Sequence, residues 1–99
     1  MTLVEKTRII QTFLDHPVGC TLIKLQRHSN LSYETTIAVL NWLIQEGNVR
    51  VGERDIQGTR RPFFTGEIDA LNALQNSWYV GPHPNWSKWK QWLWRIRRR

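Results

Sequence analysis

Several things are scarce in these 99 residues, and each scarcity excludes something. There is one cysteine, Cys20, so no internal disulfide can form, and no neighbouring His and Cys spacing matches a zinc site. No apolar run approaches the eighteen or so residues of a membrane span, and the opening MTLVEKTRIIQTFLDHP places charges where a signal peptide needs its apolar segment. The expectation is a cytoplasmic protein. His16, His28 and His83 are scattered, no paired carboxylates sit at a pocket-like spacing, and no glycine-rich phosphate loop occurs. We therefore expect no enzyme, no metal, no cofactor and no small-molecule substrate.

Acid is also missing from one place. Residues 1–81 carry eight basic and eight acidic side chains, which cancel, so the whole formal charge of +6 belongs to the last eighteen residues. The closing stretch NWSKWKQWLWRIRRR has six cations (Lys88, Lys90, Arg95, Arg97, Arg98, Arg99), four tryptophans and no acid. Indole left in water is costly and like charges repel, so this segment is read as an interaction element.

With 40% apolar residues, the chain is long enough for one small core. Thr2 and Glu5 form the sequence pattern of a capping box, and Pro17 bars further helix, which predicts a first helix over about Leu3–Asp15 with Leu3, Ile10, Phe13 and Leu14 on one face. Thr21 caps a short second helix, TLIKLQRHS, with Leu22 and Leu25 inward. Ser32 caps a third, YETTIAVLNWLIQE, with Tyr33, Ile37, Leu40 and Ile44 as its apolar stripe, Leu43 beside it, and Gly47 at its end. Trp42, on the far side, reads as packing. The period then changes to two, and NVRVGER against TRRPFFT predicts a hairpin of about Asn48–Arg54 with Thr59–Thr65, joined through a turn containing Gly58. Pro62 marks the second strand as an edge. EIDALNALQNS predicts a short helix with Ile68, Leu71 and Leu74 inward, and SWYVGPHPN is a linker.

The passage LSYETTIAVLNWLIQEGNVRVGERDIQGTRRPFFTG resembles the core of a winged helix-turn-helix domain, where the third helix runs through a glycine into the wing. The resemblance covers about Leu3 to Gly66 and rests on pattern. Among small members it is most similar to bacterial operon regulators of the PapI and FaeA type, and more loosely to activators of the GrlA and CaiF type. It implies a mainly α fold with a small β-hairpin wing (α+β): a domain over residues 1–66, an accessory helix over 67–76, a linker over 77–85 and a cationic tail over 86–99. It further implies transcription regulation, with double-stranded DNA as partner, the third helix in the major groove and the wing on the backbone. On that mapping the exposed positions are Ser32, Tyr33, Thr35, Thr36 and, a turn later, Asn41, with Arg54, Arg60 and Arg61 on the wing. Hydroxyls and Thr methyl groups suit base edges, and arginines suit phosphates. Glu34 would repel phosphate, although a glutamate can accept from cytosine N4.

A plainer reading stands beside this one. A third helix without Lys or Arg in its first three turns neutralises phosphate poorly, and such domains also serve as protein-docking adaptors that grip a partner regulator or a polymerase subunit. The tail leaves three outcomes open. On a helical wheel Trp86, Trp89, Leu93 and Ile96 share a face with Trp92 at its border, Lys88, Arg95 and Arg99 lie opposite, and Trp94 does not fit. That face can pack against the body or against a homodimer partner, with the cations beside DNA. It can lie in a membrane surface, like the Trp-rich cationic antimicrobial peptides it resembles. Or the segment can order only on nucleic acid, with indoles stacking on bases.

Overall fold

The computed structural model describes residues 1–78. The linker from residue 79 and the cationic tail lie outside the described residues. The order of elements is α1 (Leu3–Asp15), α2 (Leu22–Ser29), α3 (Tyr33–Gln45), β1 (Val49–Ile56), β2 (Thr59–Gly66) and α4 (Ile68–Ser77). Among the described residues this is an α+β fold of four helices and one antiparallel hairpin.

Local chemistry sets the helix ends. The Thr2 hydroxyl accepts from the Glu5 amide at 3.2 Å while the Thr2 amide donates to Glu5 Oε1 at 2.7 Å, so two amides left free by the first turn of α1 are satisfied reciprocally. These bonds hold the Glu5 carboxyl below its ordinary pKa. Thr21 and Ser32 cap α2 and α3 in the same sense, each accepting from the amide three residues on. Asn30 ends α2 in the left-handed conformation (φ 56°, ψ 42°), which its short polar side chain tolerates.

The buried faces differ from the expected ones in two helices. In α1 the core face is Ile9, Ile10 and Phe13, and Leu14 is half-buried, but Leu3 is 51% exposed because burial begins only beyond the first two turns. In α3 the buried set is Thr36, Val39, Leu40 and Leu43, while Ile37 and Ile44 flank it and Tyr33 is 54% exposed. The inward face is thus rotated from the stripe Tyr33, Ile37, Leu40, Ile44. Thr36 can occupy the core because its hydroxyl donates to the Ser32 carbonyl one turn back, which removes the cost of burying it unpaired. Sequence periodicity weighs Thr as polar and so points elsewhere.

The hairpin is longer than its sequence pattern indicates: β1 begins one residue later and runs two further, to Ile56, and β2 runs one further, to Gly66. Val49 pairs with Gly66 and the register continues to Ile56 with Thr59, closed by a two-residue turn. Both turn residues have positive φ, Gln57 at 52° and Gly58 at 80°, the geometry whose twist matches that of the strands. Asp55 and Ile56 are therefore strand. On its other edge β2 is touched by Cys20: the Cys20 amide donates to the Phe64 carbonyl and the Phe64 amide to the Cys20 carbonyl, both at 2.9 Å. That bridge fastens the chain entering α2 to the hairpin.

Two glycines allow this packing. A Cβ on Gly66 would sit 2.6 Å from Leu71 Cδ1 and 3.0 Å from Phe13 Cβ, so its absence lets the hairpin end against α1 and α4. Gly19, at φ 116°, leaves room for the Phe63 ring at a place where a Cβ would lie 2.5 Å from it. At the far side of α1, Trp42 of α3 stacks on Trp78 just after α4, with centroids 6.4 Å apart, and the Lys6 ammonium lies 4.6 Å from the Trp42 ring. Trp42 is thus half-buried packing, as its position indicates. Among the described residues no helix is long and apolar enough to cross a membrane.

Candidate nucleic-acid interface

The residues read as DNA-facing at the start of α3 are mostly committed elsewhere. Ser32 Oγ accepts the Thr35 amide at 3.2 Å and donates to Thr35 Oγ1 at 2.9 Å, so the two hydroxyls form one cap. Thr36 is wholly buried and its hydroxyl is bonded to Ser32 O at 2.8 Å, so the expectation that it meets DNA is corrected: no base edge can reach it. Tyr33 alone of the four is both exposed and without a side-chain hydrogen bond among the described residues. Further along the exposed side lie Glu34, Ala38, Asn41 and Gln45.

Register sorts the hairpin cations. Side chains alternate between faces along a strand, and partners share a face. One face of the hairpin carries Arg50, Arg54 and Ile56 with their partners Thr65, Arg61 and Thr59, and also Phe63 opposite Gly52. The other carries Val49, Val51, Glu53 and Asp55 with Gly66, Phe64, Pro62 and Arg60. Val49, Phe64 and Gly66 are buried, so this second face is the one turned to the core at the hairpin's root.

Arg60 therefore does not join Arg54 and Arg61. It lies on the acidic face, 3.5 Å from Glu53, in an exposed pair of the kind worth no more than about 1 kcal/mol. All three arginines lie on the hairpin, and strand alternation alone places Arg60 on the opposite face from Arg54 and Arg61. Arg54 and Arg61 are direct cross-strand partners, and neither forms an ion pair among the described residues. The Arg54 guanidinium lies over the Phe63 ring at 4.5 Å from its centroid, a cation-π contact that keeps it beside the neighbouring strand. Arg50, on the same face, is paired with Glu67 at 2.6 Å. Beside Arg61 an open hollow of about 290 Å³ is lined by Ile56, Thr59, Gln57, Thr21 and Ile23.

The remaining polar features are modest. His16 and His28 meet edge to face with centroids 4.5 Å apart, and His16 Nδ1 lies 2.8 Å from the Thr12 carbonyl. A polar hollow of about 290 Å³ beside His28 is lined by Arg8, Gln11 and Asp15 among others. Burial pushes the Cys20 thiol up to about 11, against the weaker pull of Lys24. No group of three His, Cys, Asp or Glu side chains able to hold a metal ion occurs among the described residues.

The tail cations Lys88, Lys90, Arg95, Arg97, Arg98 and Arg99, and the face Trp86, Trp89, Trp92, Leu93 and Ile96, lie outside the described residues. Comparison of the chain with family models, with characterised proteins and with solved structures gives no match.

Proposed function

We propose that this chain is a winged helix-turn-helix DNA-binding regulator of transcription, in which the hairpin is the wing and holds phosphate with Arg54 and Arg61. The observation that carries the reading is that pair. Like charges directly opposite one another weaken a sheet, and here two exposed arginines are direct cross-strand partners without an ion-pair partner among the described residues. An external polyanion supplies that charge. The Cys20 bridge to β2 adds support, since it holds the hairpin beside the start of α2, next to the helices it would accompany on DNA. The exposed side of α3 then faces base edges, and the tail cations add affinity that does not depend on sequence.

The test is fluorescence anisotropy of the full chain on random duplex across a salt series. Arg54→Ala and Arg61→Ala should each lower the log-log salt slope by about 0.9, one phosphate contact apiece, while Arg60→Ala leaves it unchanged. Deleting residues 85–99 should remove most of what slope remains. If the double variant of Arg54 and Arg61 binds with the parent's slope, the hairpin is not the phosphate clamp.

A second reading, a docking module for another protein, draws on one observation: the body is electrically balanced and α3 has neither Lys nor Arg. On that reading the same salt series shows binding carried wholly by the tail, with the hairpin variants silent.

A further inference from the structure

The outer face of α3 holds a specific arrangement once Ser32, Thr35 and Thr36 are set aside. Glu34, Ala38 and Asn41 are all exposed and succeed one another at spacings of four and three, which puts them in one line on the helix. Neither the Glu34 carboxylate nor the Asn41 amide is spent on a hydrogen bond or ion pair among the described residues. The line contains no cation, so it has no means of gripping phosphate, and its one charge repels it. What it does offer is an acceptor, a methyl group and a donor-acceptor amide, the three kinds of group that the edges of cytosine, thymine and adenine match in the major groove.

Resting on the DNA-binding reading above, we infer that Glu34, Ala38 and Asn41 are the base-reading residues of this protein. Glu34 accepts from the cytosine N4 amino group, Asn41 exchanges two hydrogen bonds with adenine N6 and N7, and Ala38 lies between them against a thymine methyl. Seven residues of helix rise about 10.5 Å, and successive base pairs are about 3.4 Å apart, so the cytosine and the adenine are separated by about three base pairs. The charge of Glu34 makes this line selective in a second way: it penalises any register in which it meets a phosphate, so affinity comes from Arg54, Arg61 and the tail, and choice comes from α3.

The experiment is selection of bound sequences from a random duplex pool with the full chain, and then binding of the variants Glu34→Ala, Asn41→Ala and Thr35→Ala to the selected site. Expected are a cytosine and an adenine about three base pairs apart, and a roughly tenfold loss of discrimination at the cytosine for Glu34→Ala and at the adenine for Asn41→Ala. Binding of Glu34→Ala to unselected duplex should be equal or tighter, and Thr35→Ala should keep the parent's preferences. Duplex binding with a normal salt slope, but with base preferences untouched by Glu34→Ala and Asn41→Ala, overturns this assignment alone. A chain that binds no duplex at low salt overturns the DNA-binding reading and this one with it.

Discussion

At the root of the hairpin Val49, Phe64 and Gly66 are buried, Gly66 against Phe13 of α1 and Leu71 of α4, whereas from Val51 to Pro62 every residue but the half-buried Ile56 is exposed. The same two strands are therefore held in two ways. The root is fixed by close packing around Phe13 and Leu71 and by the bridge to Cys20. The outer half rests on its backbone ladder, a two-residue turn and the contact of Arg54 with the Phe63 ring. Stability and charge are thereby separated in space, and substitutions at the two ends should differ in what they alter. Phe13→Ala removes a fully buried ring that meets the hairpin's end, and should cost about 3–5 kcal/mol by chemical denaturation. A cost below about 1 kcal/mol would mean that the root is not where the hairpin is held.

Cys20 sharpens the comparison through pH. Its folded pKa is raised, so between the ordinary value of 9.0 and about 11 the unfolded chain loses the thiol proton while the folded chain keeps it. The unfolded state then binds fewer protons, and stability falls as pH rises across that window. The thiol's stabilising effect is complete below pH 9 and lost by about 11, an effect on the order of 2 kcal/mol. Cys20→Ala should flatten this alkaline limb relative to the parent chain in urea melts from pH 8 to 11. Parallel limbs in the two proteins would show that the thiol is not buried at the bridge.

Much of this fold is written locally. The caps at Thr2, Thr21 and Ser32 and the stop before Pro17 each depend on one side chain's reach to a nearby amide or on one ring's missing hydrogen, and each lies where its residue type places it. The features that were not legible depend on partners distant in the chain or on a bond that hydropathy does not register. The inward rotation of α3 is of the second kind, since Thr36 satisfies its own hydroxyl. The Cys20 bridge to Phe64 joins residues far apart in the chain, and a single bridging residue has no period to detect. At the candidate site Thr36 is the instructive residue: its type suits a base edge, but the self-satisfied hydroxyl that hides the rotation of α3 also hides its burial. The division of the hairpin arginines, by contrast, follows from alternation alone, which sends Arg60 to the face opposite Arg54 and Arg61.

The smallest expected effect tests the outer half itself. Arg54→Ala removes the stacking on Phe63, an exposed cation-π contact worth about 0.5–1 kcal/mol, but also relieves the repulsion from Arg61 directly across the ladder. The two contributions oppose, so the net change at low salt should be within about 0.5 kcal/mol of zero. Salt separates them. Cross-strand partners are about 5 Å apart at Cβ, inside the screening length at ordinary ionic strength and beyond the roughly 3 Å that applies at 1 M. Repulsion is therefore quenched at 1 M while the packing of the guanidinium on the ring largely persists. Arg54→Ala should then destabilise the protein measurably more at about 1 M sodium chloride than at about 0.05 M, as read by thermal melts at both salts. An equal effect at the two concentrations would mean that the guanidiniums do not sense each other, and the concentrated charge assigned to the hairpin's outer face would have no basis.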